Sequence, residues 1–237
     1  MSTVIKSLYE SFLDLLYEHK CPFEIEHICS MHGHCSADGW SKKVCSFCFN
    51  ELVDLSLEPR RDLIDLELVV SAAEYKNEAK TITQKFKWSN PKLVHPIAEL
   101  INYKLTNCPE FPDIDYLIPV PGLMNEDRNW LPSVLLSQEL SKLLEKPYIE
   151  PLQKSQETKL YRLDKVNRRK TVQNSYQIKP SHKHGLKNYA FEGKKLLIVD
   201  DLIASGSTIE ICAQLLKRIH PENKIYAVTF TSVSSGM

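Results

Sequence analysis

LLIVDDLIASGST, residues 196–208, places two adjacent aspartates directly after four apolar residues and just before a run of small and hydroxyl residues. Four consecutive apolar residues are typical of a strand that is buried on both faces, as in a parallel sheet. The residues that follow, STIEICAQLLKRIH, have the apolar spacing of a helix. The stretch therefore predicts a strand, a tight turn and a helix, with Asp200 and Asp201 where the strand ends.

The turn has the composition of a phosphate-binding loop. Backbone N–H groups at the N-terminus of a helix favour anions, and small residues let a phosphate approach closely. Carboxylates in such folds accept hydrogen bonds from the vicinal hydroxyls of a ribose. The pattern therefore predicts a ribose 5-phosphate site, with the phosphate at Ala204, Ser205, Gly206, Ser207 and Thr208. The alternative is an ordinary strand, turn and helix in which Asp201 caps the helix.

The rest of the chain predicts an α/β fold. Short apolar runs alternate with helical patterns, which is typical of a doubly wound, mainly parallel sheet. We expect strands over 66–75, 115–121, 195–201 and 224–233, and helices over 78–87, 91–105, 131–144 and 207–220. Ligands of such sheets bind outside the carboxyl ends of the strands, where the aspartates and the Pro119–Pro121 turn would meet.

Charge is unevenly distributed along the 237 residues, although the formal net charge is zero. Residues 1–75 contain 13 Asp or Glu and 6 Lys or Arg, whereas residues 151–190 contain 10 Lys or Arg and 2 acids. The basic segment suits either a polyanionic ligand or a solvated loop. The uneven charge is weak support for a nucleic-acid or protein partner.

The N-terminal residues predict a small separate region. Residues 4–17 have the apolar stripe of an amphipathic helix, and the acids among them argue against a signal peptide. No apolar run approaches the ~20 residues that span a bilayer. We therefore expect a cytoplasmic protein without a membrane partner. The predicted domains are residues 1–60 (helix and Cys/His region) and 61–237 (the α/β domain).

Residues 21–48 contain five cysteines and three histidines, a density that predicts a structural Zn²⁺. Cys45 and Cys48 form one knuckle with two intervening residues. Its partner is Cys29 with His32, or a set that uses Cys35 or Cys21 instead, and His34 lies among them. The candidate ligands are Cys29, His32, Cys35, Cys45 and Cys48. The sequence leaves open which four bind.

The chain resembles the type I phosphoribosyltransferases. The signature of that family is four apolar residues, two acids, two apolar residues and then small and hydroxyl residues, which LLIVDDLIASGST matches throughout. Further similarity is to one branch, the competence protein F family. Its motifs correspond to the cysteine stretch, EYKNEAKTITQKFKW (residues 74–88), the Pro119–Pro121 turn and RLDKVNRRKTVQNSY (residues 162–176).

The resemblance implies an enzyme that uses 5-phosphoribosyl 1-pyrophosphate (PRPP) with Mg²⁺ and transfers phosphoribosyl to a nitrogen acceptor, and it is compatible with a homodimer. Asp200 and Asp201 would hold the ribose hydroxyls, and residues 204–208 the 5′-phosphate. Pyrophosphate would lie against Pro121 and Gly122 and be neutralised by Arg128, Arg162, Arg168 and Arg169.

The sequence departs from the family after the Pro119–Pro121 turn. The family has an arginine- and glycine-rich run that ends in GFNQ, where this chain has GLMNEDRNWLPS. An alternative function follows from this difference: a non-catalytic module on the same fold, for PRPP or nucleotide sensing or for DNA uptake.

Overall fold

The chain divides into two compact units, Met1–Val53 and Asp54–Met237. The computed structural model describes residues 23, 48–49, 52–54, 56–124, 129–155, 175–180 and 191–233. The predicted N-terminal helix and most of the Cys/His region lie outside the described residues. In the first unit, Phe23, Cys48, Phe49 and Leu52 are buried. The predicted domain boundary at residue 60 stays a prediction.

The second unit contains strands and helices where the apolar patterns predict them. The six strands of the described residues are β1 (Leu68–Glu74), β2 (Tyr116–Pro119), β3 (Leu152–Lys154), β4 (Tyr176–Ile178), β5 (Lys195–Ile203) and β6 (Lys224–Ser232). The four α-helices of the described part are α1 (Asn77–Trp88), α2 (Val94–Thr106), α3 (Pro132–Leu143) and α4 (Ser207–Lys217). No helix of the described residues is long and apolar enough to cross a membrane.

The main sheet confirms the predicted α/β fold. Its strand order is β1-β6-β5-β2, and all neighbouring strands are parallel. Leu196 to Val199 in β5 are almost completely buried, because the central strands of a parallel sheet are covered on both faces. Helix α4 packs with Leu196 and Ile198, while α1, α2 and α3 pack on the other face.

Three details differ from the sequence prediction. Strand β5 continues to Ile203, two residues beyond the predicted end at residue 201, so the aspartates lie inside the strand rather than at its end. Pro91 begins a short 3-10 turn (Pro91–Leu93), and α2 starts only at Val94. Pro96 then lies in the first turn of α2, where a missing N–H leaves no hydrogen bond unmade. Strand β4 lies within the basic segment, where no strand was predicted.

Strands β3 and β4 pair the start of the basic segment with residues 176–178 within it. They form an antiparallel pair, and the Ser155 N–H donates to the Ser175 carbonyl at 2.7 Å. Tyr176 and Phe191 belong to the core that α4 covers, and the Phe191 ring stacks on Tyr116 with centroids 4.7 Å apart. Residues 155 and 175 are therefore held together against the sheet.

Candidate functional site

The two aspartates lie near the carboxyl end of the central strand β5. Asp200 is in register with Thr229 of β6. On the other side, the Val120 N–H donates to the Val199 carbonyl at 2.9 Å. The Pro119–Pro121 turn and the aspartates therefore meet at the same edge of the sheet.

Asp200 and Asp201 face opposite sides of the sheet, because successive strand residues alternate. Asp201 is 4% exposed and faces α1, where its Oδ2 lies 3.2 Å from the Lys87 Nζ. Asp200 is half-buried on the side of α4, near Cys212. Its Oδ1 accepts the backbone N–H of Asp201 at 2.9 Å.

Two full negative charges on this aspartate pair would repel each other. Burial, and then the negative charge of Asp201, raise the pKa of Asp200 well above its ordinary value. The Lys87 cation opposes this rise. Burial also raises the pKa of the Cys212 thiol, which therefore stays neutral beside Asp200. Perturbed carboxyl groups of this kind cluster at functional sites.

Asp201 Oδ2 is a buried oxygen with no hydrogen-bond partner among the described residues, although the Lys87 ammonium is its ion-pair neighbour. Most buried polar atoms of native proteins have such a partner. This oxygen therefore has lone pairs with which to accept a hydrogen bond from a ligand.

Residues 204–208 form a turn that presents the N-terminus of α4. Gly206 precedes the helix with φ of +88°, a left-handed conformation that favours glycine. Ala204 and Ser205 are exposed, and the hydroxyls of Ser205 and Ser207 lie 3.0 Å apart. Because Gly206 rather than Asp201 is the residue at the helix start, the alternative in which Asp201 caps α4 is wrong.

Residues 60–65 contact the 204–208 turn and the first turn of α4. Arg60 Nη1 donates to the Ala204 carbonyl at 3.3 Å, and its Nη2 and Nε donate to Asp62 at 2.8 and 3.0 Å. The Ile64 N–H donates to Glu210 Oε1 at 3.0 Å. A Cβ built on Gly206 would lie 2.6 Å from a Leu63 methyl carbon. Sequence reasoning missed this support, since Arg60 and Ala204 are 144 residues apart.

The Pro119–Pro121 turn is tied to α3. Ser133 Oγ donates to the Val120 carbonyl at 2.6 Å. A Cβ on Gly122 would lie 2.8 Å from Leu131 Cδ2, so the backbone at Gly122 passes close to this side chain. Pro121 and Gly122, the two predicted residues here, follow β2, which is the neighbour of β5. They therefore lie at the same edge of the sheet as the aspartates.

Several predicted residues lie outside the described part of the chain. They are Arg128, Arg162, Arg168, Arg169, Cys29, His32, Cys35 and Cys45. Cys48 is described and fully buried. Among the residues that the structure describes, no group of three or more His, Cys, Asp or Glu side chains could hold a metal ion.

The C-terminal part of the chain, which contains the candidate site, matches a known protein family. Residues 133–236 match the phosphoribosyl transferase domain. The matched range, a little under half of the chain, contains the aspartates and the 204–208 turn, whereas α1 and β2 precede it. A search of the curated proteins finds no match.

The solved structures to which this chain is similar include two phosphoribosyltransferases and one phosphoribosylpyrophosphate amidotransferase. Adenine phosphoribosyltransferase from Saccharomyces cerevisiae is 19% identical, with 62% of this chain and 72% of that chain covered and a TM-score of 0.38. The enzyme of the same name from Trypanosoma brucei is 11% identical, with 75% and 89% covered and a TM-score of 0.40. Glutamine phosphoribosylpyrophosphate amidotransferase from B. subtilis is 16% identical, with 61% and 30% covered and a TM-score of 0.39.

Proposed function

We propose that this protein binds PRPP and transfers its phosphoribosyl group to a nitrogen acceptor, with release of pyrophosphate. One observation carries the proposal: two adjacent aspartates, of which Asp201 is buried with an unsatisfied carboxylate oxygen, precede a helix N-terminal turn within the range that matches the phosphoribosyl transferase domain. Carboxylates suit the ribose hydroxyls and the turn suits the 5′-phosphate.

Each part of the site would have a separate task. Asp200 and Asp201 would accept hydrogen bonds from the ribose hydroxyls, and residues 204–208 would bind the 5′-phosphate. The backbone at Pro121 and Gly122 would face the pyrophosphate. Cationic side chains would neutralise that group as it leaves; the candidates are Arg128, Arg162, Arg168 and Arg169.

The reaction would be a substitution at C1 of the ribose. A bond forms from the acceptor nitrogen to C1 while the bond from C1 to the pyrophosphate oxygen breaks, and pyrophosphate leaves with that electron pair. The acceptor nitrogen then loses its proton to the solvent. Catalysis would rest on positioning and on stabilising charge at the leaving group.

Mg²⁺ fits this donor set. Mg²⁺ prefers oxygen ligands and is commonly bound through one or two carboxylates together with substrate phosphates and water. Asp200 and Asp201 provide carboxylate oxygens at the sheet edge, and Asp201 Oδ2 has no hydrogen-bond partner in the described residues. When bound, Mg²⁺ would neutralise charge on the pyrophosphate of PRPP.

A thermal-shift panel tests the proposal on the full chain. PRPP with Mg²⁺ at about 100 times Kd is expected to stabilise the protein by about 2.7 kcal/mol, which raises Tm by about 5–10 °C. Ribose 5-phosphate should give a smaller shift, and glucose 6-phosphate should give none. Absence of a shift with PRPP would refute the proposed donor.

Pyrophosphate release then separates catalysis from binding alone. We expect release when PRPP is mixed with a suitable nitrogen acceptor such as a nucleobase or an amine. The departure from the GFNQ motif favours the non-catalytic alternative. Stabilisation by PRPP without release from any acceptor would select that alternative, a PRPP-sensing module with a protein or nucleic-acid partner.

We also propose that the protein belongs to the competence protein F branch, is cytoplasmic, forms a homodimer and holds a structural Zn²⁺ through four of the candidate Cys and His ligands. Fully buried Cys48 is consistent with a zinc thiolate. Metal analysis of the purified protein is expected to find about one zinc per chain. Cys45→Ser or Cys48→Ser should remove it, whereas Cys108→Ser should not. A metal-free wild-type protein would contradict the zinc proposal.

A further inference from the structure

Lys87 connects α1 to the aspartate pair. It lies in the last turn of α1, where a cation interacts favourably with the helix dipole. Its side chain is 33% exposed, and its Nζ lies 3.2 Å from Asp201 Oδ2. Lys87 precedes the range that matches the phosphoribosyl transferase domain. The structure therefore brings a charged group from the other half of the chain to the candidate site.

The end of α1 is held in place by the segment that follows the Pro119–Pro121 turn. Trp130 Nε1 donates to the carbonyl of Phe86, the residue before Lys87, at 3.3 Å. The Phe86 side chain is itself fully buried. The backbone next to Lys87 is thus anchored, and the ammonium reaches Asp201 from a fixed base.

The contact at Asp201 is an ion pair that leaves hydrogen-bonding capacity. A buried carboxylate is unfavourable unless a nearby charge or hydrogen bonds compensate for the lost hydration. Here the Lys87 cation supplies the charge, while Asp201 Oδ2 makes no hydrogen bond within the described residues. This combination holds the carboxylate in place and keeps an acceptor site open.

We propose that Lys87 is a positioning residue of the donor site, whose ammonium holds Asp201 in the orientation in which it accepts a ribose hydroxyl. The inference rests on the proposed PRPP binding and assigns a role to a residue outside the ribose-phosphate signature. Lys87 acts through Asp201, so its removal should weaken binding without removing any direct contact to the 5′-phosphate.

Rescue by a conservative variant supplies a readout that a merely structural role would not move. If Lys87 only packed at the end of α1, methionine would replace it as well as arginine does. If its charge holds Asp201 through the 3.2 Å contact, only arginine can replace it. Binding should therefore follow the charge at position 87 and not the volume of the side chain.

Calorimetric titration of PRPP with Mg²⁺ at pH 7 tests the proposal. Lys87→Met should weaken PRPP affinity by about tenfold to a hundredfold. Lys87→Arg keeps the charge and should stay within about threefold of wild type. Lys85→Met, an exposed lysine of the same helix turn, is the matched control and should behave as wild type.

The possible results separate this inference from the proposed function. If wild type binds PRPP and Lys87→Met matches it in affinity, Lys87 has no positioning role while the donor assignment stands. If wild type does not bind PRPP, both fall.

Should Lys87→Met fail to fold, the Lys87→Met and Asp201→Asn double variant removes both charges of the pair. We expect its residual affinity at millimolar PRPP to equal that of Asp201→Asn within about twofold, because the two side chains act as one unit. A further loss on top of Asp201→Asn would mean that Lys87 acts independently of Asp201, contrary to the proposal.

Discussion

Replacing Asp200 and Asp201 together by asparagine is expected to lower PRPP affinity at least a hundredfold while the protein stays folded. Asparagine keeps the shape of each side chain but removes the negative charge that would attract Mg²⁺, and it replaces one oxygen that would accept from a ribose hydroxyl with an NH2 group that can only donate. Calorimetry with PRPP and Mg²⁺ measures the affinity, and circular dichroism checks the fold. Unchanged affinity would exclude the aspartates from the ribose site.

The double asparagine variant should lose PRPP affinity without losing thermal stability. The raised pKa of Asp200 means that the folded protein binds a proton more tightly than the unfolded chain does. Wild type therefore loses stability as pH rises above the ordinary carboxyl value of 3.8, by about 1.4 kcal/mol for each pKa unit of the rise. The asparagine variant lacks this loss, and its Tm at pH 7 should be at least that of wild type.

Asp115→Asn provides a control at the opposite end of the sheet. Burial acts to raise the pKa of Asp115, but the Lys195 N–H and the Lys194 ammonium outweigh it and the pKa is lowered. Such a group stabilises the fold above its ordinary pKa and ceases to do so as pH falls. Asp115→Asn should therefore lower Tm at pH 7 and leave PRPP affinity unchanged, the reverse of the result at the aspartate pair.

Gly206→Ala is expected to destabilise the protein by about 2–5 kcal/mol and to weaken PRPP binding. An alanine at φ of +88° is strained by about 1–2 kcal/mol, and its Cβ would meet Leu63 at 2.6 Å, which adds about 1–3 kcal/mol of overpacking. Relief of this clash would move the 204–208 turn away from its phosphate-binding geometry. Urea unfolding and PRPP calorimetry measure the two effects.

Gly193→Ala separates strain from packing. Gly193 also has a positive φ, +69°, but a Cβ there would meet nothing within 4 Å. It should lose only the strain term of about 1–2 kcal/mol and bind PRPP normally. Equal destabilisation of the two variants would show that Leu63 does not restrain the turn.

Local sequence patterns predicted the parts of the fold that depend on neighbouring residues. The apolar run of β5 and the glycine at the start of α4 were both visible in residues 196–208, as was the carboxyl-edge position of the aspartates. Strand β4 was not, because its residues follow a long polar segment and its partner strand β3 lies more than twenty residues earlier in the chain.

The surroundings of the site could not be read from the sequence. Arg60, Leu63 and Lys87 reach the aspartates and the turn only through the packing of the folded chain, and none lies in a motif that names its partner. Residues 74–88 match a family motif in the sequence, but Lys87 within them gains a role only from its 3.2 Å contact with Asp201. Long-range contacts of this kind depend on the sheet order, which short patterns do not determine.

The strand order also has a consequence for how the protein is made. Among the described strands of the main sheet, β1 has β6 as its neighbour and β2 has β5, so the strands that emerge first from the ribosome are the two outer ones. They have no partner in the main sheet until the last strands have been synthesised. Co-translational folding, which usually proceeds from the N-terminus, therefore cannot complete this sheet before β6 has left the exit tunnel. Until then, β1 and β2 expose apolar strand edges that chaperones would have to shield.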